Sequence, residues 1–256
     1  MMNIIYRKAN KNDIPKLKSL WIDTFDEAET AVNIFFDNTM PYTSVYCAES
    51  EEEIVSAVYL IHCKLTDKKT HYLCGASTNK AYRKMGIMSK LIKYALDNSG
   101  DEYSVLFPAN ESLYGFYSKL GYSPECTAKR CVISKQELLN MELNPNINKN
   151  NILIQNNKFL DFAESYYSYY GIKVLKNEKA IIFADEKETC TEIFYLDYAD
   201  SNALKSLIKK LNSEKFILTL KSDDKNFDGE IIKYGMIKSI NSEDIPQNVY
   251  IGITLN

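Results

Sequence analysis

Between Ser44 and Thr78 three runs rich in β-branched and aromatic residues, Ser44–Ala48, Ile54–Leu65 and Thr70–Thr78, follow one another with only polar turns between them. Residues of that kind pack on a pleated surface, and turns this short leave no room for a crossover, so the spacing predicts three consecutive strands in an antiparallel meander. The third run leads through Tyr82-Arg83-Lys84-Met85-Gly86 into Ile87, Met88, Leu91, Ile92, Ala95 and Leu96. Those positions recur at helical spacing and leave Lys90, Lys93 and Asp97 for solvent, which predicts an amphipathic helix ended by Gly100. A sheet covered by helices, an α/β (α+β) arrangement, is the expectation.

The flanking segments extend it. Upstream, Ile4–Arg7 reads as a short strand, Asn12-Asp13-Ile14-Pro15 starts a helix reaching about Phe25, and Ala28, Ala31, Val32, Phe35 and Phe36 mark a second helix ending near Met40-Pro41. Downstream, Tyr103–Phe107 is a short apolar strand, and Asn110 is placed to cap a helix bearing Leu113, Phe116, Tyr117 and Leu120 and stopped by Gly121. Tyr122 to Ile133 then supplies further strand.

A chain of 256 residues can hold one large domain or two small ones. The asparagine-rich, Pro145-bearing stretch 141–157 is the expected linker, separating a domain over 1–140 from another over 158–256. Beyond it the pattern predicts a helix around Phe159 to Tyr170 and strands near Ile172–Leu175, Ala180–Ala184 and Thr191–Asp197. A helix over Ala203 to Leu211 and strands near Phe216–Leu220, Glu230–Ile240 and Tyr250–Leu255 follow. That order repeats the first half and suggests a duplicated architecture, although no residue-level repeat is visible.

Charge narrows the function. With 31 Lys+Arg against 34 Asp+Glu the net charge is −3, which gives no general attraction to nucleic acid or anionic lipid. The start of the chain has no apolar signal-like core, and purely apolar stretches of about five residues fall far short of the ~20 that cross a bilayer. A soluble cytoplasmic protein without membrane or nucleic-acid partners is expected. Six cysteines without a C-x-x-C pair and only two histidines, His62 and His71, predict no metal site. Cys47, Cys63 and Cys74, lying in strand runs, read as small buried apolar residues.

Chemistry enters at Tyr82 to Met88. Helix N-termini carry unpaired N–H groups and partial positive charge, and Gly86 lets the backbone approach an anion closely, so the turn can hold a diphosphate with Arg83 and Lys84 at its rim. The alternative is an ordinary basic strand-to-helix turn. No G-x-G pair and no G-x-x-x-x-G-K-[ST] run occurs, so the dinucleotide and nucleotide-loop fingerprints are absent. Downstream, Asn110 and Tyr117 stand seven residues apart, close to two helical turns, and so share roughly one face. They read either as two contacts to one ligand or as a cap and a core aromatic.

Together these segments resemble the GCN5-related N-acetyltransferase (GNAT) superfamily. Its acetyl-CoA loop, [RQ]-x-x-G-x-[GA], is similar to Arg83-x-x-Gly86-x-Met88, with methionine in the small-residue place. Its N-x-x-A-x-x-[FL]-Y-x-x-x-G-[FY] helix is similar to Asn110 through Tyr122, with Leu113 in the alanine place. The likeness covers about residues 1–135. It extends to the subgroup of the enhanced intracellular survival acetyltransferases, in which a degenerate second GNAT-like region follows the catalytic domain.

The resemblance implies a mixed, mostly antiparallel sheet with flanking helices. It also implies transfer of an acetyl group from acetyl-CoA to a primary amine of a small-molecule acceptor; the alternative is a non-catalytic acyl-CoA-binding or interaction module. The cosubstrate would lie where two parallel strands, Thr70–Thr78 and Tyr103–Phe107, splay. Main-chain groups at Ala76, Ser77 and Thr78 would hold its pantetheine and thioester, and Arg83, Lys84, Met85, Gly86, Ile87, Met88 and Asn110 complete the expected cofactor contacts. Tyr117 corresponds to the family's general acid, a phenol that is protonated at neutral pH.

The general base is not legible. His71 lies near the start of its strand and reads as a packed or exposed strand residue rather than a base; water can relay the proton, and the resemblance to the subgroup implies the α-carboxylate of Asn256 as a candidate. Asp26, Glu27 and Glu29 lie where such enzymes line the acceptor cleft, or else form a solvated helix start. In the second half Asp197-Tyr198-Ala199-Asp200-Ser201 has two acids and no glycine before its helix, so no second CoA site is expected. The tyrosines 166, 167, 169 and 170 line an acceptor pocket or pack between domains, and this half completes the acceptor cleft or a homodimer surface.

Overall fold

The computed structural model describes residues 3–145, 151–154, 157–241 and 244–255. The first sheet begins with β1 (Ile5–Lys8), β2 (Thr43–Ser50), β3 (Glu53–Leu65) and β4 (Lys68–Thr78), each antiparallel to the next in space, so the expected meander is present. Helices α1 (Ile14–Phe25) and α2 (Glu29–Thr39) connect β1 to β2. The chain enters α1 through a turn capped by Asn10: the Asn10 side chain accepts from the Asn12 N–H at 2.9 Å, and its own N–H donates to Asp13 at 2.7 Å.

Helix α3 (Ile87–Ser99) follows β4, and β5 (Tyr103–Leu106) and α4 (Glu111–Ser118) come next. Strand β3 is buried on both faces. Its alternate residues Ala57, Tyr59, Ile61, Cys63 and Leu65 pack in the core shared with α1 and α2, while Val58 and Leu60 pack in the core shared with α3. Cys47, Cys63 and Cys74 are buried in these layers, as their strand positions imply.

The remaining elements are β6 (Thr127–Ser134), α5 (Lys135–Asn140), β7 (Leu153–Ile154), α6 (Asn157–Tyr169), β8 (Lys173–Asn177), β9 (Ala180–Glu186), β10 (Thr191–Tyr198), α7 (Ser201–Ile208), β11 (Lys215–Lys221), β12 (Glu230–Lys233) and β13 (Met236–Ser239). They build a second sheet in the order β12-β6-β11-β10-β9-β8 and complete the first as β1-β2-β3-β4-β5-β13, with β7 added to β3. The duplication is visible in the topology. In each half a meander leads through a helix to a strand parallel to the meander's last one: β5 along β4, and β11 along β10. Each last meander strand, β4 and β10, carries one extra residue at a bulge.

The halves trade strands. β6, from the first half, lies between β11 and β12, whereas β13, from the second, lies on β5. The stretch 141–157, expected as a linker, contributes β7 to the first sheet, and α6 packs on α2 through Phe162 and Phe35, whose rings are 5.7 Å apart. A fragment ending at Asn140 therefore leaves β6 with neither neighbour and uncovers the edge of β5. It is expected to lack cooperative unfolding, checked by comparing its urea melt and amide exchange with those of the full chain.

Three strand expectations are corrected. Tyr122 to Cys126 makes only isolated bridges, and the ladder begins at Thr127. The run Glu230–Ile240 is two strands in two sheets, broken at Gly235, whose φ of +126° and close packing bar a side chain. A Cβ there would lie 2.3 Å from Ile251 Cδ1 and 2.7 Å from the Leu106 carbonyl oxygen. The Tyr250–Leu255 run joins no ladder; Ile251 and Ile253 are wholly buried in the core shared with α6, so their β-branched bulk fills space.

Candidate active site

β4 and β5 are hydrogen-bonded only over Thr70–Tyr72 against Tyr103–Val105; β4 then runs on to Thr78 while β5 ends at Leu106. A cavity of about 540 Å³ opens where they part. Tyr72 to Ala76 of β4, Phe107 and Ala109 beyond β5, and Leu113 and Tyr117 of α4 form one side. Trp21, Phe25, Asp26 and Glu27 at the end of α1, Tyr166, Tyr167, Tyr170 and Ile172 at the end of α6, and Leu255 form the other. The second half thus supplies part of the wall.

The bulge of β4 is built on Gly75, which sits at φ +58° with Trp21 pressed onto it: a Cβ would lie 2.3 Å from Trp21 Cζ3 and 2.7 Å from Tyr59 Cδ2. Sequence reasoning passed over Gly75, although a glycine inside the strand run Thr70–Thr78 is itself a signal for a bulge or a close approach. Of Ala76, Ser77 and Thr78, only Ala76 lines the cavity. The Ser77 hydroxyl donates to the Ala57 carbonyl at 3.5 Å, and the Thr78 and Ser56 hydroxyls are 2.9 Å apart, so both side chains are tied to β3.

Tyr117 is buried at 7% exposure, its ring held between Phe116 and Tyr122 at 5.1 and 5.7 Å. Burial, with a smaller effect from Cys74, pushes the phenol up to about 12, so its proton is in place at neutral pH. Burial pushes the Cys74 thiol up as well and leaves it un-ionised in the wall. Asn110 does not join Tyr117 there: it is exposed at the head of α4, makes no side-chain cap, and accepts from the Ser112 hydroxyl at 2.6 Å. Ala109 and Leu113 face the cavity in its stead.

The turn after β4 lies outside the cavity lining. Asn79 Oδ1 accepts from the Ala81 N–H at 3.0 Å, and Arg83 Nε donates back to the Thr78 carbonyl at 3.0 Å. Lys84 and Gly86 both adopt positive φ, +64° and +74°, and the space over Gly86 is open, with nothing within 4 Å of a Cβ placed there. No side chain caps α3, and Arg83, Lys84 and Met85 are exposed. Ile87 is buried and Met88 packs against the α3 core. Among the described residues neither Arg83 nor Lys84 forms an ion pair. At the corresponding place in the second half, Asp200 Oδ1 accepts from the Ala203 N–H at 2.8 Å and occupies the start of α7.

On the wall formed by the ends of α1 and α6, Glu27 is fixed by three donors. Its Oε1 accepts from the phenols of Tyr166 at 2.5 Å and Tyr170 at 2.6 Å, and its Oε2 accepts from Trp21 Nε1 at 2.7 Å. Burial, and after it the Glu27 carboxylate, raises both phenols, that of Tyr170 to about 12. Asp26 is exposed at φ +54°, and Glu29 lies outside the lining. The Leu255 N–H donates to the Tyr72 hydroxyl at 3.2 Å and Tyr167 donates to the Thr254 carbonyl, which brings the last described residues to the cavity. Asn256 lies outside the described residues.

His71 is wholly buried and not part of the cavity. Its Nδ1 is 2.7 Å from Asp101 Oδ2, and the same oxygen is 3.6 Å from His62 Nδ1, whose Nε2 is 2.9 Å from the Ser44 hydroxyl. Burial lowers the His71 imidazole despite the bond to Asp101. Asp101, which burial alone would raise, is held well below the ordinary carboxylate range by His62 and His71. Both shifts act in one direction. The unfolded chain takes up a proton at His71 near ~6.5 and at Asp101 near ~3.9, and the native state does so only at lower pH. Stability from these groups is full above ~6.5, falls as pH drops through the native His71 value, and falls again below ~3.9. Urea midpoints measured from pH 8 to pH 5 should begin to fall only below ~6.5, and the His71 ring should remain neutral by NMR where an exposed imidazole is charged.

Two parallel strands that part over a cavity, a bulge in the longer of them, and an open glycine turn leading into the next helix define the class of this fold, that of the GNAT sheet. Residues 5–124, just under half of the 256, match the acetyltransferase (GNAT) domain model. No curated protein matches the chain. Among solved structures it is similar to a conserved protein of unknown function and probable N-acyltransferase from Enterococcus faecalis V583, with 14% identity, a TM-score of 0.70, and coverage of 94% of this chain and 73% of that one. It is likewise similar to Eis1 from Mycobacterium abscessus, with 9% identity, a TM-score of 0.63, and coverage of 94% and 74%. A GCN5-related N-acetyltransferase from Kribbella flavida matches at 13% identity and a TM-score of 0.61, over 92% and 71%. These likenesses extend through both sheets and concern the fold. Among the described residues no helix is long and apolar enough to cross a membrane, and no group of three His, Cys, Asp or Glu is placed to hold a metal ion.

Proposed function

We propose that this protein is an N-acetyltransferase that moves an acetyl group from acetyl-CoA to the primary amine of a small acceptor. The observation that carries the reading is the protonated, cavity-facing Tyr117 at the parting of β4 and β5. The residues present fit acetyl-CoA. The space over Gly86 is open to a diphosphate, the leading amides of α3 have no side-chain cap, and Arg83 and Lys84 stand exposed beside them. When bound, acetyl-CoA supplies an activated acetyl thioester. The turn from Arg83 to Met88 holds the phosphates by main-chain N–H groups and charge, and the β4 bulge at Gly75 and Ala76 orients the pantetheine end. Tyr117 Oη holds a proton for the departing thiolate. Asn110, outside the cavity, is left with a contact to the outer part of the cosubstrate.

The test is a panel of primary amines assayed for acetyl-CoA-dependent thiol release, with acetyl-CoA affinity measured by calorimetry. Thiol release with at least one amine supports transfer. Tight acetyl-CoA binding without release from any amine would favour a non-catalytic acyl-CoA-binding module, and no affinity would remove both readings. Gly86→Asp should weaken acetyl-CoA binding about tenfold by setting a carboxylate against the diphosphate, at little cost in fold because aspartate tolerates positive φ better than most residues.

A further inference from the structure

The acceptor-side wall is charged in one sense only. Among the described residues that line the cavity there are two carboxylates, Asp26 and Glu27, and no lysine, arginine or histidine, and neither carboxylate takes part in an ion pair with a described residue. Around Glu27 stand the rings of Trp21, Phe25, Tyr166 and Tyr170, with Trp21 and Phe25 at 5.3 Å and Tyr166 and Tyr170 at 5.3 Å. Aromatic faces with a fixed carboxylate among them attract a cation and give an anion no partner. Glu27 is also held in place before any ligand arrives: Tyr166 and Tyr170 use both lone pairs of Oε1, Trp21 takes one of Oε2, and one remains open.

Trp21 also sets the distance to the reaction. One edge of its indole presses on Gly75 at the bulge, and the opposite edge donates to Glu27, so an indole ring and a hydrogen bond lie between the bulge and the carboxylate. An amine paired with a carboxylate is kept as ammonium and has no lone pair with which to attack a thioester. The nitrogen that Glu27 holds is thus not the nitrogen that reacts at the bulge.

From this we infer that the acceptor carries two basic nitrogens: a distal ammonium seated on Glu27 among the four rings, and a second primary amine that reaches the thioester at Gly75. This deepens the acetyltransferase reading and rests on it. The proposed substrate class is the aliphatic diamine and its longer relatives, with Glu27 as the residue that selects it and Asp26 adding charge at the mouth. In the transfer the distal nitrogen keeps its proton. The reacting amine forms the new N–C bond as the C–S bond breaks, it loses one proton to solvent, and the thiolate gains one from Tyr117.

The test uses the full chain with acetyl-CoA and two matched series: the α,ω-diaminoalkanes from propane to hexane, and the monoamines of equal length. At least one diamine should exceed its monoamine in kcat/KM by about tenfold or more, through KM, as a charge-assisted contact in a partly dry site implies. Glu27→Gln should remove most of that ratio by raising KM for the diamine more than for its matched monoamine, because the distal contact is one that only the diamine makes. Asp26→Asn, at a position with positive φ that asparagine adopts readily, provides the milder variant should Glu27→Gln melt early, and it should lower the ratio in the same direction. Monoamines as good as diamines, or a Glu27→Gln variant that loses kcat equally on both series, would overturn the inference while leaving the transferase reading intact. Absence of thiol release with every amine would count against that reading itself.

Discussion

Tyr117→Phe is expected to lower kcat by about 10²-fold or more, the low end of what a positioned proton donor contributes, while acetyl-CoA affinity stays within about twofold. The substitution removes one oxygen and leaves the ring between Phe116 and Tyr122, so a general loss of structure is not the expected cause. The pH profile separates this role from simple packing. An ordinary phenol loses its proton near ~10, but burial pushes Tyr117 up to about 12, so the wild-type rate should keep rising through pH 10 as the amine acceptor deprotonates. A downturn in kcat near pH 10 in the wild type, or a Tyr117→Phe enzyme with unchanged kcat, would show that the proton comes from elsewhere.

The parts of this fold that follow local rules could be read from residues alone. The meander, the amphipathic face of α3 and the glycine turn before it each depend on neighbours within a few positions. Partner choice does not, and that is why the strand exchange was invisible: nothing in Thr127 to Ser134 states that its partners are Lys215–Lys221 and Glu230–Lys233 rather than β5. Two local signals were there to be used. Ser134 and Glu137 form a reciprocal capping box that starts α5, and Gly235 divides what reads as one strand. The cavity wall around Glu27 had no such signal. Glu27 meets Tyr166 and Tyr170 across 139 and 143 residues of sequence, through the packing of α6 on the first sheet's helices. The tyrosine cluster could therefore be seen in the sequence, but what it holds could not.

Gly75→Ala is the substitution with the largest expected effect on structure and site together. The alanine Cβ would lie 2.3 Å from Trp21 Cζ3 and 2.7 Å from Tyr59 Cδ2, and the backbone is at φ +58°, where a side chain adds strain of its own, roughly 1–2 kcal/mol. Tyr59 is wholly buried and Trp21 nearly so, and neither ring can retreat without opening the core shared by α1 and α2. A loss of about 3 kcal/mol or more is expected, which for a chain of this length lowers Tm by roughly 6–12 °C. Trp21 is the single tryptophan of the chain, so its emission reports the displacement directly. Because its other edge donates to Glu27, the same displacement should weaken the acceptor contact as well as the bulge. Trp21→Phe removes the ring atoms that clash, so the double variant should recover about half of the lost stability, and the two substitutions should be non-additive by at least about 1 kcal/mol. Additive losses would mean that backbone strain alone fixes glycine at the bulge, and the indole would then have no part in setting the distance between the thioester and Glu27.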